Sequence, residues 1–142
     1  NAGIDRSNID QSEERILLLP KDPDGSANKI RLILRKHFKV NIGVIITDTM
    51  GRPFRNGIVG FAIGASNINS IRDERGKKDL FGNELKVTQI GTADELAAAA
   101  SLIMGQANQK THVVLIRGHV TNKNEINNAS ALIRDEQEDL FR

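Results

Sequence analysis

GVIITDTMGRPFRNGIVGFAIGAS, residues 43–66, decides the fold. Its apolar opening, residues 43–47, reads as a strand that carries the backbone to Asp48, so this carboxylate is expected at a strand's carboxyl end. The run TDTMGRPFRNG, residues 47–57, then reads as an acidic turn passing into Arg52 and Arg55. A further strand begins at Ile58. Gly57, Gly60 and Gly64 punctuate it, as bulges or the close approach of another backbone would require. Open α/β sheets bind ligands outside the carboxyl ends of their strands. Asp48 with Thr49 there would hold a hard cation, and Arg52 and Arg55 would face phosphate or carboxylate oxygens.

Upstream, ILLLP at 16–20 reads as a short strand ended by proline, which cannot continue a hydrogen-bonded ladder. Next comes KDPDGSANKIRLILRKHF, with Ser26 as the expected N-cap of an amphipathic helix of about three turns. Ala27, Ile30, Ile33, Leu34 and Phe38 form its apolar side, and Lys29, Arg31, Arg35 and Lys36 a solvated basic side. Downstream, RDERGKKDLFGNEL at 72–85 is polar and interrupted twice by glycine, which predicts a hairpin loop or surface excursion. Residues 86–90 alternate as a strand. Thr92 and Glu95 have capping-box spacing before an alanine-rich helix over 94–104, whose small surface permits close packing on a sheet. Gly105 ends that helix, QANQKT follows as a polar loop, and HVVLIRG at 112–118 is expected to be a buried strand. The tail from Asn124 reads as a helix or extended arm held by Leu132, Ile133, Leu140 and Phe141.

The chain has 142 residues, enough for one domain that buries about two-thirds of its unfolded surface. Apolar residues are 39% and charged residues 27%, an ordinary globular balance, and five Phe with no Trp or Tyr demand an aliphatic core. The net charge is +2, with 18 acidic side chains among 20 basic ones, which does not point to nucleic acid. The absence of cysteine excludes a disulfide framework and thiolate chemistry and fits a reducing cytoplasm. No apolar stretch approaches the ~18 residues of a membrane span, and no signal peptide is seen. The chain opens on Asn1, with Ala2 and Ile4 beside it, and so reads as a processed or truncated piece entered in mid-fold. Helices and strands interleave without βαβ spacing, and neither GxGxxG nor GxxxxGK[ST] occurs. An α+β fold with a mixed sheet and packed helices is expected.

Hydrolytic readings fail for want of cysteine, GxSxG, HExxH or HxH, and His37, His112 and His119 read as structural or surface groups. What remains are oxygen donors: Asp5 in NAGIDRSN, Asp48 and Thr49, and Gln106 in MGQAN. Carboxylate, hydroxyl and amide oxygen suit magnesium or manganese, which keep coordination positions for water and phosphate. Each residue also has a plain reading. Asp48 would cap backbone, Asn8 would cap a turn, and Arg52 and Arg55 would pair with nearby acids.

NAGIDRSN, LLPKDPDGSA, VIITDTMGRPFRNGIVGFAIGAS, DERGKKDLFGNELKVTQIGTADELAAAASLIMGQA, VVLIRG and EDLFR occur in the order expected of the coenzyme F-420-0:L-glutamate ligase family. The chain resembles the later part of that family's ligase domain over nearly its whole length; family members carry roughly another hundred residues before the NAGID segment. The resemblance implies a GTP-dependent enzyme that joins L-glutamate to coenzyme F-420-0 through an acyl phosphate and then adds further γ-linked glutamates. It implies one metal position at Asp5 and Asp48 and a second at Thr49 and Gln106, taking magnesium or manganese. It implies guanine-nucleotide contacts at Asn8 and at Met104, Gly105, Gln106, Ala107, Asn108, Gln109, Lys110 and Thr111, the NQKT part matching least well. An intertwined homodimer is implied as well. Arg52 and Arg55 are assigned on physical grounds to a phosphate or to the coenzyme's acidic tail. Two other readings stand beside this one: a metal- or nucleotide-holding part that needs a second chain for turnover, and a structural module whose acidic loops are only turns.

Overall fold

The computed structural model describes residues 4–5 and 16–139. In chain order the elements are β1 (Ile4–Asp5), β2 (Leu17–Leu18), α1 (Pro23–Phe38), β3 (Val44–Arg52), β4 (Arg55–Ser66), β5 (Arg72–Asp73), β6 (Gln89–Ile90) and α2 (Thr92–Met104). Short 3-10 turns follow at Lys123–Glu125, Ala129–Leu132 and Glu136–Glu138. The α+β class stands. In place of the expected mixed sheet, the described residues form three two-stranded antiparallel ladders, β1 with β2, β3 with β4 and β5 with β6.

The β3–β4 ribbon organises the described chain. Its register runs from Val44 opposite Ser66 to Arg52 opposite Arg55, with one shift between Ile46 and Thr47 and another between Gly51 and Arg52. The first shift inserts Ile63 into β4. The second leaves Asn56 and Gly57 unopposed, and Gly57 has φ +85°, a backbone state that side chains disfavour. Residues 43–47 were expected to be the whole strand, but the ladder continues through polar residues because β3 lies in a half-solvated antiparallel ribbon, where polar positions are tolerated.

Both helices lie on β4. Gly60 and Gly64 are buried beneath them, and each marks a close approach of backbone as expected. A Cβ on Gly64 would collide with the Pro23 backbone, and one on Gly60 would sit 2.8 Å from the Ala97 carbonyl oxygen and 2.7 Å from Ser101 Cβ. Ala93, Ala97 and Ala100 are the buried face of α2, so the small surface read from the sequence does bring that helix close. Gly60→Ala is therefore expected to destabilise the chain by about 1–3 kcal/mol, since the obstructing oxygen belongs to a helix backbone. An unchanged melting midpoint would contradict this packing.

Helix starts differ from expectation. α1 begins at Pro23, capped by Asp22, whose Oδ1 accepts the Gly25 N–H at 2.8 Å; Ser26 instead donates its hydroxyl to the Asp22 carbonyl. Proline in the first turn loses nothing there, because that N–H has no helical partner. α2 is preceded by Gly91, with no side-chain cap, so Thr92 lies inside the helix and the capping box does not form. In its place the first-turn acids reach across to β4. Asp94 Oδ1 accepts the Ala62 N–H at 2.9 Å, and Asp24 Oδ1 accepts those of Ala65 at 2.7 Å and Ala129 at 3.0 Å. These carboxylates satisfy strand and turn donors on either side of Ile63 while facing the positive ends of their own helices.

The core is small and aliphatic: Ala62, Ala65, Ile68, Ala93 and Ala129, with Ile45, Leu96 and Leu132 against it. Asn127 fastens the tail to it. Its Oδ1 accepts the Ile71 N–H at 3.0 Å, its carbonyl accepts the Ser70 hydroxyl, and its own N–H reaches the Ile68 carbonyl. Over the described residues 124–139 the tail is a series of short turns rather than the expected helix or extended arm; Leu140 and Phe141 lie outside the described residues. Much of the apolar side of α1 is uncovered, with Ile30, Ile33 and Phe38 exposed. Arg31, read as solvated, is half-buried and donates to Ser66 Oγ at 3.0 Å.

Residues 72–85 form the polar excursion read from the sequence, and of the strand expected at 86–90 only Gln89–Ile90 pairs. Arg75 grips Asp73 through Nε at 2.9 Å, and this bond holds the Asp73 carboxyl down from the ordinary 3.8 to about 2. Because the folded pKa is depressed, the contact is present above the unfolded pKa and is lost as pH falls through about 2. NMR titration is expected to place the Asp73 midpoint there; a midpoint near 3.8 would mean that the pair is not held. The ILLLP strand shrinks to Leu17–Leu18, both exposed. Residues 112–118 have neither helix nor, among the described residues, a ladder partner, and are mostly exposed rather than a buried strand.

Candidate functional site

Asp48 lies in the middle of β3, opposite Phe61, and the strand runs four residues further to Arg52. It is therefore not at a strand's carboxyl end. The crevice rule of open parallel sheets does not apply to an antiparallel ribbon. What places the carboxylate at the surface is the pleat: Asp48 is exposed, while Thr47 and Thr49 on the other face are half-buried. The Thr49 N–H donates to Asp48 Oδ1 at 2.7 Å, which orients the carboxylate along the strand. The backbone-cap reading of Asp48 is thus present alongside the ligand reading.

A series of contacts joins Thr49 to the loop after α2. Thr49 stands opposite Gly60, Gly60 packs under Ser101, and the Ser101 carbonyl accepts the Gly105 N–H at 3.0 Å, next to Gln106. Gly105 terminates α2 at φ +71°, where a Cβ would run into the Gln109 side chain. Gln109 folds back, its Oε1 accepting the Ala107 N–H at 2.8 Å, and Lys110 takes a left-handed backbone at φ 57°. Residues 105–110 are a built turn rather than a loose linker. Gln106, Asn108 and Lys110 are exposed on it.

Arg52 and Arg55 face one another at the turn end of the ribbon, joined by Pro53 and by Phe54, which is 97% exposed. Like charges directly opposite on a ladder repel. Among the described residues neither arginine has a carboxylate partner, and Arg52 Nη1 is buried without an acceptor. The plain ion-pair reading of these arginines is therefore not what the described residues make.

The other expected residues are placed less fully. Asp5 is on β1, its backbone opposite Leu17, and Asn8 lies outside the described residues. Among the described residues no three His, Cys, Asp or Glu side chains gather. The donors that are described, the exposed Asp48 carboxylate, the Thr49 hydroxyl and the exposed Gln106 amide, are all oxygens, the chemistry that magnesium or manganese takes. Two structural carboxylates, Asp24 and Asp94, were not read from the sequence. Their only signal there was an acid in the first turn of each helix.

The family model F420-0:Gamma-glutamyl ligase matches residues 1–118. A protein of Methanococcus maripaludis named "Coenzyme F420:L-glutamate ligase" is 49% identical over 142 residues, covering all of this chain and 56% of the relative. Proteins of the same name from Methanocaldococcus jannaschii and Archaeoglobus fulgidus are 49% and 46% identical, again over all of this chain and 55% of each relative. The chain thus spans little more than half the length of these curated relatives. With a family model matched over most of its residues and this identity from end to end, the chain belongs to the F420-0:gamma-glutamyl ligase family.

Proposed function

We propose that this chain is the metal- and nucleotide-bearing part of a cytoplasmic GTP-dependent ligase that attaches L-glutamate to coenzyme F-420-0 and then adds further γ-linked glutamates. The observation that carries the reading is the end-to-end identity, 46–49%, to relatives named "Coenzyme F420:L-glutamate ligase". A carboxylate does not condense with an amine unaided at neutral pH. In the proposed reaction an oxygen of the coenzyme's carboxylate bonds to the γ-phosphorus of GTP and the bond to GDP breaks. The glutamate amine then attacks the acyl carbon of that mixed anhydride, inorganic phosphate leaves with the bonding pair, and the amine loses a proton.

Each residue has a role in this scheme. Asp5 and Asp48 would hold one magnesium or manganese ion and Thr49 and Gln106 another, and the bound ions would neutralise phosphate charge. Asn8 and residues 104–111 would contact the guanine nucleotide. Arg52 and Arg55 would receive a phosphate or the coenzyme's acidic tail, an anion that removes their mutual repulsion and gives Arg52 Nη1 an acceptor. No protein nucleophile is required, since positioning and electrostatics supply the catalysis. Among the described residues no helix is long and apolar enough to cross a membrane, and neither membrane nor nucleic acid enters the proposal.

A homodimer is part of the same proposal. α2 leaves Leu102 and Ile103 exposed beyond its buried alanine face, more apolar surface than a small monomer leaves open. Light scattering at tens of micromolar is expected to give twice the 15.6 kDa chain mass, and a monomer there counts against assembly through this helix. The ligase reading itself is tested by chromatographic detection of glutamylated coenzyme. The sample is this chain supplied with GTP, manganese and the polypeptide that its relatives carry beyond the matched stretch.

A further inference from the structure

A cavity of about 780 Å³ is lined by β3 and by residues within 112–121, a segment with neither helix nor ladder, together with Ile30 and Leu34 of α1 and Leu96 and Ala100 of α2. Five consecutive residues of the β3 side, 43–47, border it, and so do five consecutive residues, 112–116, on the opposite side. Side chains alternate faces along a strand, so a cavity that touches every residue of 43–47 lies along the edge of β3. The strand-forming run 112–116 borders the same apolar space.

Among the described residues neither edge is paired, and β3 forms a ladder with β4 alone. Among the described residues no backbone hydrogen bond holds any residue of 112–121. This is strand sequence, VVLI, with Val113 and Leu115 left 84% and 68% exposed. An unpaired strand edge beside apolar side chains is a template for pairing with another backbone. An apolar small molecule would fill the volume and leave both edges unmet. An extended polypeptide fills it and pairs with both.

We propose that this cavity seats an extended segment inserted between β3 and residues 112–116, supplied by the part of the family's chain that lies outside the stretch matched here. The curated relatives hold the matched stretch in only 55–57% of their length, so polypeptide of the right origin exists in each of them. The segment carries apolar side chains on both faces, because α1 and α2 wall the cavity with aliphatic groups. The inference rests on the proposed function only in taking that extra polypeptide to belong to the same ligase.

The test is hydrogen exchange on this chain alone and on the chain co-purified with the polypeptide that makes up the remainder of the Methanocaldococcus jannaschii relative. The amides among 44–47 that point away from β4, and alternate amides of 113–116, are expected to exchange quickly in the isolated chain and roughly 100-fold or more slowly in the complex. The aligned amides of the full-length relative should be equally slow. Leu115→Lys alters an exposed side chain, so it should leave exchange elsewhere in the isolated chain unchanged and remove the protection. A complex that protects other residues while these stay fast overturns the proposal, as does failure to form a complex. Protection that appears in the isolated chain as its concentration rises also overturns it, by showing that a second copy is the occupant. Protection at both edges without glutamylated product supports the seat and counts against the ligase reading instead.

Discussion

Asp48→Asn is expected to lower glutamate ligation by roughly 100-fold or more, with the completing polypeptide, GTP and saturating manganese present. The substitution isolates charge from shape. Asp48 is exposed on β3, and the one contact it makes among the described residues, acceptance of the Thr49 N–H, can be kept by an asparagine oxygen. The fold should follow the behaviour of surface substitutions and change by no more than about 0.5 kcal/mol. A hard cation, by contrast, loses an anionic oxygen for a neutral one. Equal turnover of the two proteins would remove Asp48 from the metal position, and a collapsed melting midpoint would show that its bond to Thr49 is structural.

The second large effect concerns the chain by itself. It is expected to bind manganese and GTP weakly in calorimetry and to form no glutamylated coenzyme. Binding needs only some of the contacts, and Asp48, Thr49 and Gln106 are on surfaces the chain already builds. Turnover needs donor and acceptor aligned, and a displacement of ~1 Å can cost about 100-fold. The uncovered faces of α1 and the unpaired segment 112–121 are places where that alignment is not yet fixed. Robust product from a verified 142-residue sample would show that the rest of the relatives' length is dispensable. Absence of any metal binding would remove the site itself.

The parts of the fold that were legible in the sequence are those set by local chemistry. α1 and α2 were readable from spacing, Gly60 and Gly64 from their place in an apolar run, and the 72–85 excursion from its charges and glycines. Caps were misread because two candidates competed. In KDPDGS the proline favours a start at Pro23, which makes Asp22 the cap and leaves Ser26 in the first turn. At Thr92 the expected box lost to Asp94, which reaches across to Ala62. Such a bond depends on a strand some 30 residues away and has no local signature.

The strand errors share another cause. An apolar run marks where a strand is buried, not how far its hydrogen bonds extend, so β3 was cut at Thr47 and Asp48 was placed at an end it does not occupy. HVVLIRG shows the converse: its composition favours a strand, but a strand exists only with a neighbour. The oxygen donors and arginines of the candidate site are read from the sequence as residue types within motifs. The contacts that join Thr49 to the Gln106 loop through Gly60 and Ser101 are not, because helix packing creates them.

The central claim, that this chain is one part of a GTP-dependent glutamate ligase, is tested most directly by chromatographic assay of glutamylated coenzyme. The sample contains this chain, the remaining polypeptide of the Methanocaldococcus jannaschii relative, coenzyme F-420-0, L-glutamate, manganese and GTP. Product that requires both polypeptides and GTP, with one phosphate released for each glutamate added, is the predicted result. No product from a sample in which hydrogen exchange shows the two polypeptides joined, or product formed equally well without GTP, would contradict it.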